Sequence, residues 1–190
     1  MTLYDDLPCS VVYDDMEYSL DLSYTAVLAA FDALEDNDLP ARAQIETALD
    51  LLVLDEHPCD IGLLKAVFGV ISPERRSAKR EPVIDFRQDW PYIYAGFRQA
   101  YGIDLFEDRE LHWLLFLALL RSLPQSTRMS EIIGIRSQPI PKRTKYNAEE
   151  IARISRLKAE YAIRKSDGTG FEAGLRKIFE ALKSQAQEGR

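Results

Sequence analysis

The side chains that most often carry out chemistry in proteins are scarce in this sequence. It contains two histidines, His57 and His112, and two cysteines, Cys9 and Cys59. His57 and Cys59 lie two residues apart, a spacing compatible with a pair of metal ligands or with a base and a nucleophile. A stable zinc site needs four ligands, however, and a single thiol near a loop is more often inert. We therefore predict no metal site, no catalytic residue and no enzymatic activity.

The other candidates for chemistry have simpler structural explanations. His112 precedes Trp113 in the most apolar stretch of the chain, where a buried neutral imidazole with one hydrogen-bonded partner is the usual arrangement. The patterns GxxxxGKS/T, GxGxxG and HExxH do not occur in the sequence. Gly168-Thr169-Gly170 follows no predicted strand, so it indicates a hinge near residues 166–170 rather than a phosphate-binding loop. We expect no cofactor.

Charge is distributed unevenly along the chain. The net charge is -7, but residues 136–190 hold 13 Lys and Arg against 7 Asp and Glu, a balance of +6, whereas residues 1–135 hold 11 against 24, a balance of -13. An acidic body repels phosphate, which makes nucleic acid the less favoured partner, and a basic tail is most simply a solvated helix. The opposite charges of body and tail are also compatible with a homo-oligomer.

No stretch of the sequence has the properties of a membrane anchor or an export signal. The longest apolar run, 111–120, contains His112 and is shorter than the ~18 residues that a bilayer span needs. Residues 1–10 contain Asp5 and Asp6 and no Lys or Arg, unlike a signal peptide. We expect a cytoplasmic protein with no membrane partner and with reduced cysteines.

Hydrophobic periodicity predicts a mainly α-helical fold, a helical bundle, with a small β-hairpin near its start. Two β-type runs within 10–22 flank Asp14-Asp15, a weaker turn than Asn-Gly because neither Asp accepts positive φ as readily as Gly does. Three amphipathic helices follow before residue 72, the third capped by Asp60. The segment 72–82 carries two prolines and no large apolar side chain, which indicates a loop.

The chain then continues with a helix that carries a dense aromatic stripe. We place its N-cap at Asp89, Pro91 in its first turn and its end at Gly102. A helix over about 108–122 is apolar on nearly every side and is expected at the centre of the bundle. A shorter helical segment over 127–135 follows it. The members of the aromatic stripe are Trp90, Ile93, Tyr94, Phe97 and Tyr101.

This aromatic stripe has two interpretations. With Arg98 among its rings, it could form a platform on which the bases of a single-stranded nucleic acid stack. Its helical spacing, and the flanking acidic side chains Asp85, Asp89 and Asp104, favour a place in the hydrophobic core instead. We expect the stripe to be buried.

We predict two domains, an acidic helical core over 1–137 and a basic helical C-terminal extension over 138–190. Asn147 and Glu150 form a pattern like a capping box where the extension's first helix starts. Each of its two helices carries an apolar stripe with no evident partner within the tail, so we predict that these stripes bind protein. They consist of Ile151, Ile154, Leu157 and Tyr161 in the first helix, and of Phe171, Leu175, Ile178, Phe179 and Leu182 in the second.

Several short motifs lie close together in the middle of the chain. They are 85–97 (DFRQDWPYIYAGF), 101–105 (YGIDL), 111–113 (LHW), Phe116, Leu119-Leu120, Leu123-Pro124 and 135–137 (IRS). With these motifs the chain resembles the bacteriophage gp fifteen family of siphophage tail-region proteins, over about residues 7–165.

The resemblance implies a tail assembly chaperone of a phage or prophage. Members of that family are encoded near the tape-measure gene, and such a chaperone would act in the host cytoplasm during virion morphogenesis. It would coat the tape-measure protein, or another tail protein, before tube subunits polymerise around it. This role is protein binding and needs no cofactor. The alternative is a nucleic-acid-associated phage accessory factor that acts through the basic C-terminal region and the loop residues Arg75, Arg76, Lys79 and Arg80.

Overall fold

The computed structural model of the protein describes residues 5–72 and 83–164. These residues form seven α-helices and one antiparallel hairpin of two strands, so the predicted mainly α fold with an N-terminal hairpin is confirmed. No helix among them combines the length and the apolar character that a bilayer crossing requires.

The described residues belong to two compact units. Unit 1 contains 5–72 and 109–117, and unit 2 contains 83–108 and 118–164. The division into an acidic core domain and a basic extension stays a prediction.

Unit 1 begins with the hairpin of strands β1 (Ser10–Tyr13) and β2 (Met16–Ser19). Asp14 and Asp15 connect them with φ angles of 53° and 59°. Positive φ at both residues of a two-residue loop defines a type I′ turn, whose twist matches that of the paired strands. Aspartate is among the few non-glycine residues that visit this region, because its short polar side chain can hydrogen-bond locally.

Three helices follow in unit 1: α1 (Tyr24–Glu35), α2 (Ala41–Leu52) and α3 (Ile61–Ile71). Helix α1 packs against α2, α2 against α3, and α3 against β1. Asp60 caps α3 as predicted, since its Oδ1 accepts a hydrogen bond from the backbone N–H of Gly62 at 2.5 Å. Its other oxygen accepts from the hydroxyl of Tyr13 at 3.1 Å, which joins the hairpin to α3.

Unit 1 contains five aromatic rings joined by pairwise contacts, four of them buried and Phe31 half-buried, which we call the buried aromatic cluster. Phe31 lies 5.8 Å from Phe68 and 5.6 Å from Trp113, measured between ring centroids. Tyr24 stacks on Phe116 at 4.8 Å, and Phe116 stacks on Trp113 at 5.6 Å. Such pairs contribute about 0.5–1.5 kcal/mol each beyond the area that they bury.

Four further helices complete the described chain: α4 (Phe86–Tyr101), α5 (Trp113–Arg121), α6 (Arg128–Ser137) and α7 (Ala148–Glu160). In unit 2, α4 packs against α6 and α6 against α7. Helix α5 belongs to unit 1 up to Leu117 and to unit 2 from Ala118.

Helix α4 begins earlier than the sequence analysis placed it. Its N-cap is Asp85, whose Oδ1 accepts from the N–H of Gln88 at 2.8 Å, and Asp89 lies inside the helix. Pro91 therefore sits beyond the first turn, where its ring removes the hydrogen bond that residue 91 would donate to the carbonyl of Arg87. The end at Gly102 is confirmed, with φ of 71° in the left-handed region.

Helix α5 is shorter and less buried than predicted. It starts at Trp113, because residues before it form turns and His112 pairs with Ser23 in an isolated antiparallel bridge. Leu115 is exposed although Trp113, Phe116 and Leu120 are buried. The helix is apolar on nearly every side, as predicted, but the expected central position is wrong for the side that carries Leu115. The three buried side chains, at i, i+3 and i+7, define one inward stripe.

Candidate functional site

The feature of unit 2 best suited to binding is an exposed group of aromatic side chains, Trp90, Tyr94 and Phe106, which we call the aromatic surface. Trp90 is 54% exposed and Phe106 is 57% exposed, whereas Tyr94 is half-buried. The Phe106 ring lies 6.1 Å from that of Trp90 in an edge-on arrangement and 5.2 Å from that of Tyr94. Adjacent large rings that stay in contact with water form the kind of patch that a protein partner covers.

Asp104 holds the loop that carries Phe106. Its Oδ1 accepts from the N–H of Phe106 at 3.0 Å, and its Oδ2 accepts from the hydroxyl of Tyr94 at 3.2 Å. Arg98 lies 3.7 Å from the same carboxylate. Backbone N–H groups of Glu107 and Asp108 donate to the Asp104 carbonyl at 3.0 and 2.8 Å. The Phe106 ring is therefore positioned before any partner arrives, which reduces the entropy lost on binding.

The same contacts affect the acidity of Tyr94. Burial of the ring raises its pKa above the ordinary 10.0, and the hydrogen bond to the anionic Asp104 raises the pKa further. The phenol thus stays protonated over the physiological range and remains a hydrogen-bond donor to Asp104.

The aromatic stripe of the sequence analysis is divided between two sides of α4. Ile93 and Phe97 are buried with Asp89, at successive spacings of four residues. Trp90 follows Asp89 by one residue, which is about 100° around a helix, and so it points away from that inward line. The expectation that the whole stripe is buried is wrong for Trp90. Sequence reasoning missed this division because it took Asp89 as a cap and not as an inward position.

A buried ion pair fixes this orientation of α4. Arg136 of α6 meets Asp89 through two hydrogen bonds, from Nη1 to Oδ2 at 2.5 Å and from Nη2 to Oδ1 at 2.8 Å. The Asp89 side chain is fully buried and that of Arg136 is 7% exposed. Bidentate pairing of this kind restricts both distance and angle. It prevents α4 from rotating to bury Trp90 in place of Asp89.

The remaining donors and acceptors of this pair are also satisfied. Arg136 donates from Nε to the carbonyl of Tyr161 at 2.7 Å and from Nη1 to that of Val83 at 2.9 Å. Asp89 Oδ2 accepts from the N–H of Asp85 at 2.9 Å. A buried ion pair is tolerated when its hydrogen-bonding groups are filled in this way.

Helix α7 carries the first set of predicted binding residues, and unit 2 itself already covers part of it. Ile154 is buried, while Ile151, Leu157 and Tyr161 are half-buried. Arg128 donates to the Tyr161 hydroxyl and lies 5.1 Å from the centre of its ring. The structure therefore leaves only the margins of this stripe accessible, and its protein-binding role stays a prediction.

The second predicted set, Phe171, Leu175, Ile178, Phe179 and Leu182, lies outside the described residues, as does the hinge near 166–170. The loop residues Arg75, Arg76, Lys79 and Arg80 also lie outside them. The roles assigned to these residues stay predictions.

The two histidines and two cysteines belong to unit 1, whereas the aromatic surface belongs to unit 2. His57 Nε2 lies 3.3 Å from the carboxylate of Asp50, and the Cys59 thiol points to the carbonyl of Arg42 at 3.6 Å. Within residues 5–72 and 83–164, no group of three His, Cys, Asp or Glu side chains is arranged to hold a metal ion.

His112 has a structural environment, as the sequence analysis favoured. Its Nε2 lies 3.0 Å from the carbonyl of Pro8, and its Nδ1 accepts from the N–H of Leu114 at 3.2 Å. One donating and one accepting nitrogen is the pattern of the neutral ring. His112 thereby ties the segment before β1 to the start of α5.

Comparison with known proteins identifies the family of the chain. Residues 3–163 match the family model described as Bacteriophage Gp15 protein. No curated protein and no solved structure gives a significant match. Because the matched segment includes α1 to α7 and the hairpin, and so covers most of the sequence, this chain belongs to the Bacteriophage Gp15 protein family.

Proposed function

We propose that this protein is a tail assembly chaperone that binds the tape-measure protein during phage tail morphogenesis, and that it acts by binding and not by catalysis. Membership of a bacteriophage family supports a role in the phage cycle. The observation that carries the binding role is the aromatic surface, because Trp90 and Phe106 stay exposed while the buried ion pair of Asp89 and Arg136 holds α4 in this orientation.

The aromatic surface is suited to an apolar segment of a helical client. Trp and Tyr are the residues that most often dominate binding energy, and they act best when they sit on a rigid support. Here Trp90 and Tyr94 project from α4, four residues apart, and Phe106 is held by Asp104 beside them. An amphipathic helix could place side chains at i and i+3 or i+4 against these three rings.

Release of the client is as necessary as binding, since tube subunits must finally replace the chaperone. The aromatic surface consists of three rings on one helix and one loop, so it offers a small contact area. Small interfaces belong to the weaker, transient class of protein complexes. A weak, transient complex of this kind would allow the polymerising tube subunits to displace the chaperone.

The proposal is tested by co-expressing the full chain with its neighbouring tape-measure protein, followed by affinity purification and light scattering. We expect a complex that raises the client's solubility and survives about 1 M salt, where charge–charge attraction acts over only about 3 Å. Trp90→Ala and Phe106→Ala should each remove most of the complex. Leu54→Ala serves as the matched control, because Leu54 is a large exposed side chain of unit 1 outside the aromatic surface.

Two results would contradict the proposal. One is a tape-measure protein whose solubility and recovery are unchanged by co-expression. The other is a chain that purifies with nucleic acid and releases it as salt rises, since phosphate contacts give a steep dependence on the logarithm of salt concentration. The second result would favour the accessory factor that acts through the basic C-terminal region.

A further inference from the structure

We propose that the chain associates with copies of itself head to tail, with the tip of the hairpin in one copy docked on the loop before α7 in the next. Both surfaces lie outside the aromatic surface, and the contact between them does not depend on the chaperone function. Each of the two surfaces combines charged residues with exposed apolar side chains, and the charges on the two surfaces have opposite signs.

The first surface is the end of the hairpin, which we call the acidic tip. It consists of Asp14, Asp15 and Glu17 together with Val12 and Met16, and all five are exposed. The type I′ turn presents the two aspartates at the extremity of the strands. Three negative charges thus surround two large apolar side chains that remain in water.

The second surface is the segment that leads into α7, which we call the basic loop. It consists of Lys142, Arg143 and Lys145 together with Ile140 and Tyr146, and all five are exposed, Tyr146 to 95%. No hydrogen bond or ion pair within the described residues involves the side chains of these three cations. Three positive charges therefore accompany two large apolar side chains.

Asn147 gives the basic loop a defined shape. Its side chain accepts from the N–H of Thr144 at 2.7 Å and donates to the carbonyl of Lys142 at 2.9 Å. The Thr144 hydroxyl in turn accepts from the N–H of Tyr146 at 3.4 Å. Asn147 is the N-cap residue of α7, as the sequence predicted, but its side chain makes no cap hydrogen bond and organises the loop instead. A loop ordered in this way is prepared for a partner.

The acidic tip and the basic loop complement each other. The tip carries three acidic residues and the loop three basic ones, and each surface includes two large exposed apolar side chains. Both are short connections held in a defined shape. Complementary potentials of this kind steer association and fix its register. Two acidic tips repel each other, as do two basic loops, so a symmetric pair through either surface alone is disfavoured. The tip of each copy therefore contacts the loop of another copy, and repeated head-to-tail contacts of that type build rings or open chains.

A second copy explains more of the observations than a nucleic acid does. Phosphate would account for the basic loop, but it would leave Val12 and Met16 exposed among acids without a function. All of the negative excess of the chain lies in its first 72 residues, which contain 15 Asp and Glu against Arg42 and Lys65. Every copy of the chain carries both this acidic region and a basic loop, so each basic loop has acidic partners at the same concentration.

The experiment measures the mass of the full chain by sedimentation velocity over a range of concentrations, at about 0.1 M and about 1 M salt. We expect the average mass to rise with concentration at the lower salt and to return toward the monomer at the higher. Replacing the basic loop charges (Lys142→Glu, Arg143→Glu, Lys145→Glu) should weaken self-association at least about tenfold, because like charges then face each other.

A charge exchange makes the test specific. The substitutions Asp14→Asn, Asp15→Asn and Glu17→Lys change the tip from three negative charges to one positive charge while keeping residues that accept positive φ. By itself, this tip variant should also associate at least about tenfold more weakly than the wild-type chain, and a mixture of the tip and loop variants should associate again. Arg153→Glu with Arg156→Glu serves as the control, since both residues are exposed on α7 outside the basic loop. Circular dichroism checks that every variant is folded.

Three outcomes would overturn the inference: a wild-type chain that is monomeric at every concentration, a loop variant that associates as wild type does, or a mixture of folded variants that fails to associate. A loop that binds a labelled single-stranded oligonucleotide, in a chain that stays monomeric, would assign the basic loop to nucleic acid instead. None of these outcomes depends on whether the chain binds a tape-measure protein.

Discussion

Both units of this protein contain a group of aromatic rings in contact, yet the two groups have opposite relations to solvent. The buried aromatic cluster of unit 1 has centroid distances of 4.8 to 5.8 Å, and the aromatic surface of unit 2 has distances of 5.2 and 6.1 Å. Ring geometry therefore does not distinguish a buried cluster from an exposed one. The distinction depends on whether other elements cover the rings, and in unit 2 the inward positions of α4 are occupied by Asp89, Ile93 and Phe97.

The largest expected effect is a loss of stability when the buried cluster is truncated. Phe116 stacks on both Tyr24 and Trp113 and is 1% exposed. Phe116→Ala should lower the free energy of unfolding by about 3–5 kcal/mol, from lost burial and the cavity that remains. Urea denaturation followed by fluorescence measures it. A cost below about 1 kcal/mol would show that the cluster is not the core of unit 1.

An effect of similar size is expected at the ion pair that orients α4. Arg136→Met leaves the Asp89 carboxylate buried without its cation and should cost about 3–5 kcal/mol. Replacing both residues, as Asp89→Leu with Arg136→Met, should cost less than Arg136→Met alone, because the buried charge is then absent. Denaturation of the single and double variants measures the coupling. If the double variant were the less stable one, the ion pair would not be what orients α4.

A smaller effect, confined to binding, is expected at the aromatic surface. Trp90→Ala should weaken the proposed complex with the tape-measure protein by about 2 kcal/mol or more, the size found for a central aromatic anchor. Its unfolding free energy should change by less than about 1 kcal/mol, since Trp90 is half exposed. Titration calorimetry and denaturation of the same sample give both numbers. Equal losses in the two measurements would place Trp90 in the core and remove the contrast between the units.

The smallest effect concerns the hydrogen bond that positions Phe106. Tyr94→Phe removes the donor to Asp104 while keeping the ring, so binding should weaken less than in Trp90→Ala. It should also change the response to alkali. Because the folded-state pKa of Tyr94 is raised, its contribution to stability is present below pH 10 and is lost as the pH rises through the folded-state value.

Denaturation between neutral pH and about pH 11 checks this sign, with the range set by the ordinary tyrosine pKa of about 10. The decline in stability above pH 10 should be shallower in Tyr94→Phe than in the wild-type chain. An identical decline in both would show that Tyr94 does not share its proton with Asp104 in the way that the geometry indicates.

The sequence by itself determined the elements that depend on neighbouring residues. Period-2 runs around two aspartates specify the hairpin, Asp60 caps α3, and Gly102 ends α4, because strand alternation, capping and positive φ are local properties. Trp90 and Tyr94 of the candidate site were also singled out, and the family resemblance drew on the same stretch of chain, but Phe106 was not noticed because it follows the end of the predicted helix.

Only the tertiary structure decided which side of α4 is covered. A stripe of aromatic residues satisfies a core and a binding surface equally well in sequence, so Trp90 was assigned to the core. The outcome depends on Arg136, 47 residues after Asp89, whose guanidinium meets the buried carboxylate and sets the rotation of the helix. Hydrophobic periodicity cannot reveal an ion pair between residues so far apart in the chain. It describes how side chains are spaced along one helix or strand, and it does not show which distant arginine pairs with a buried aspartate.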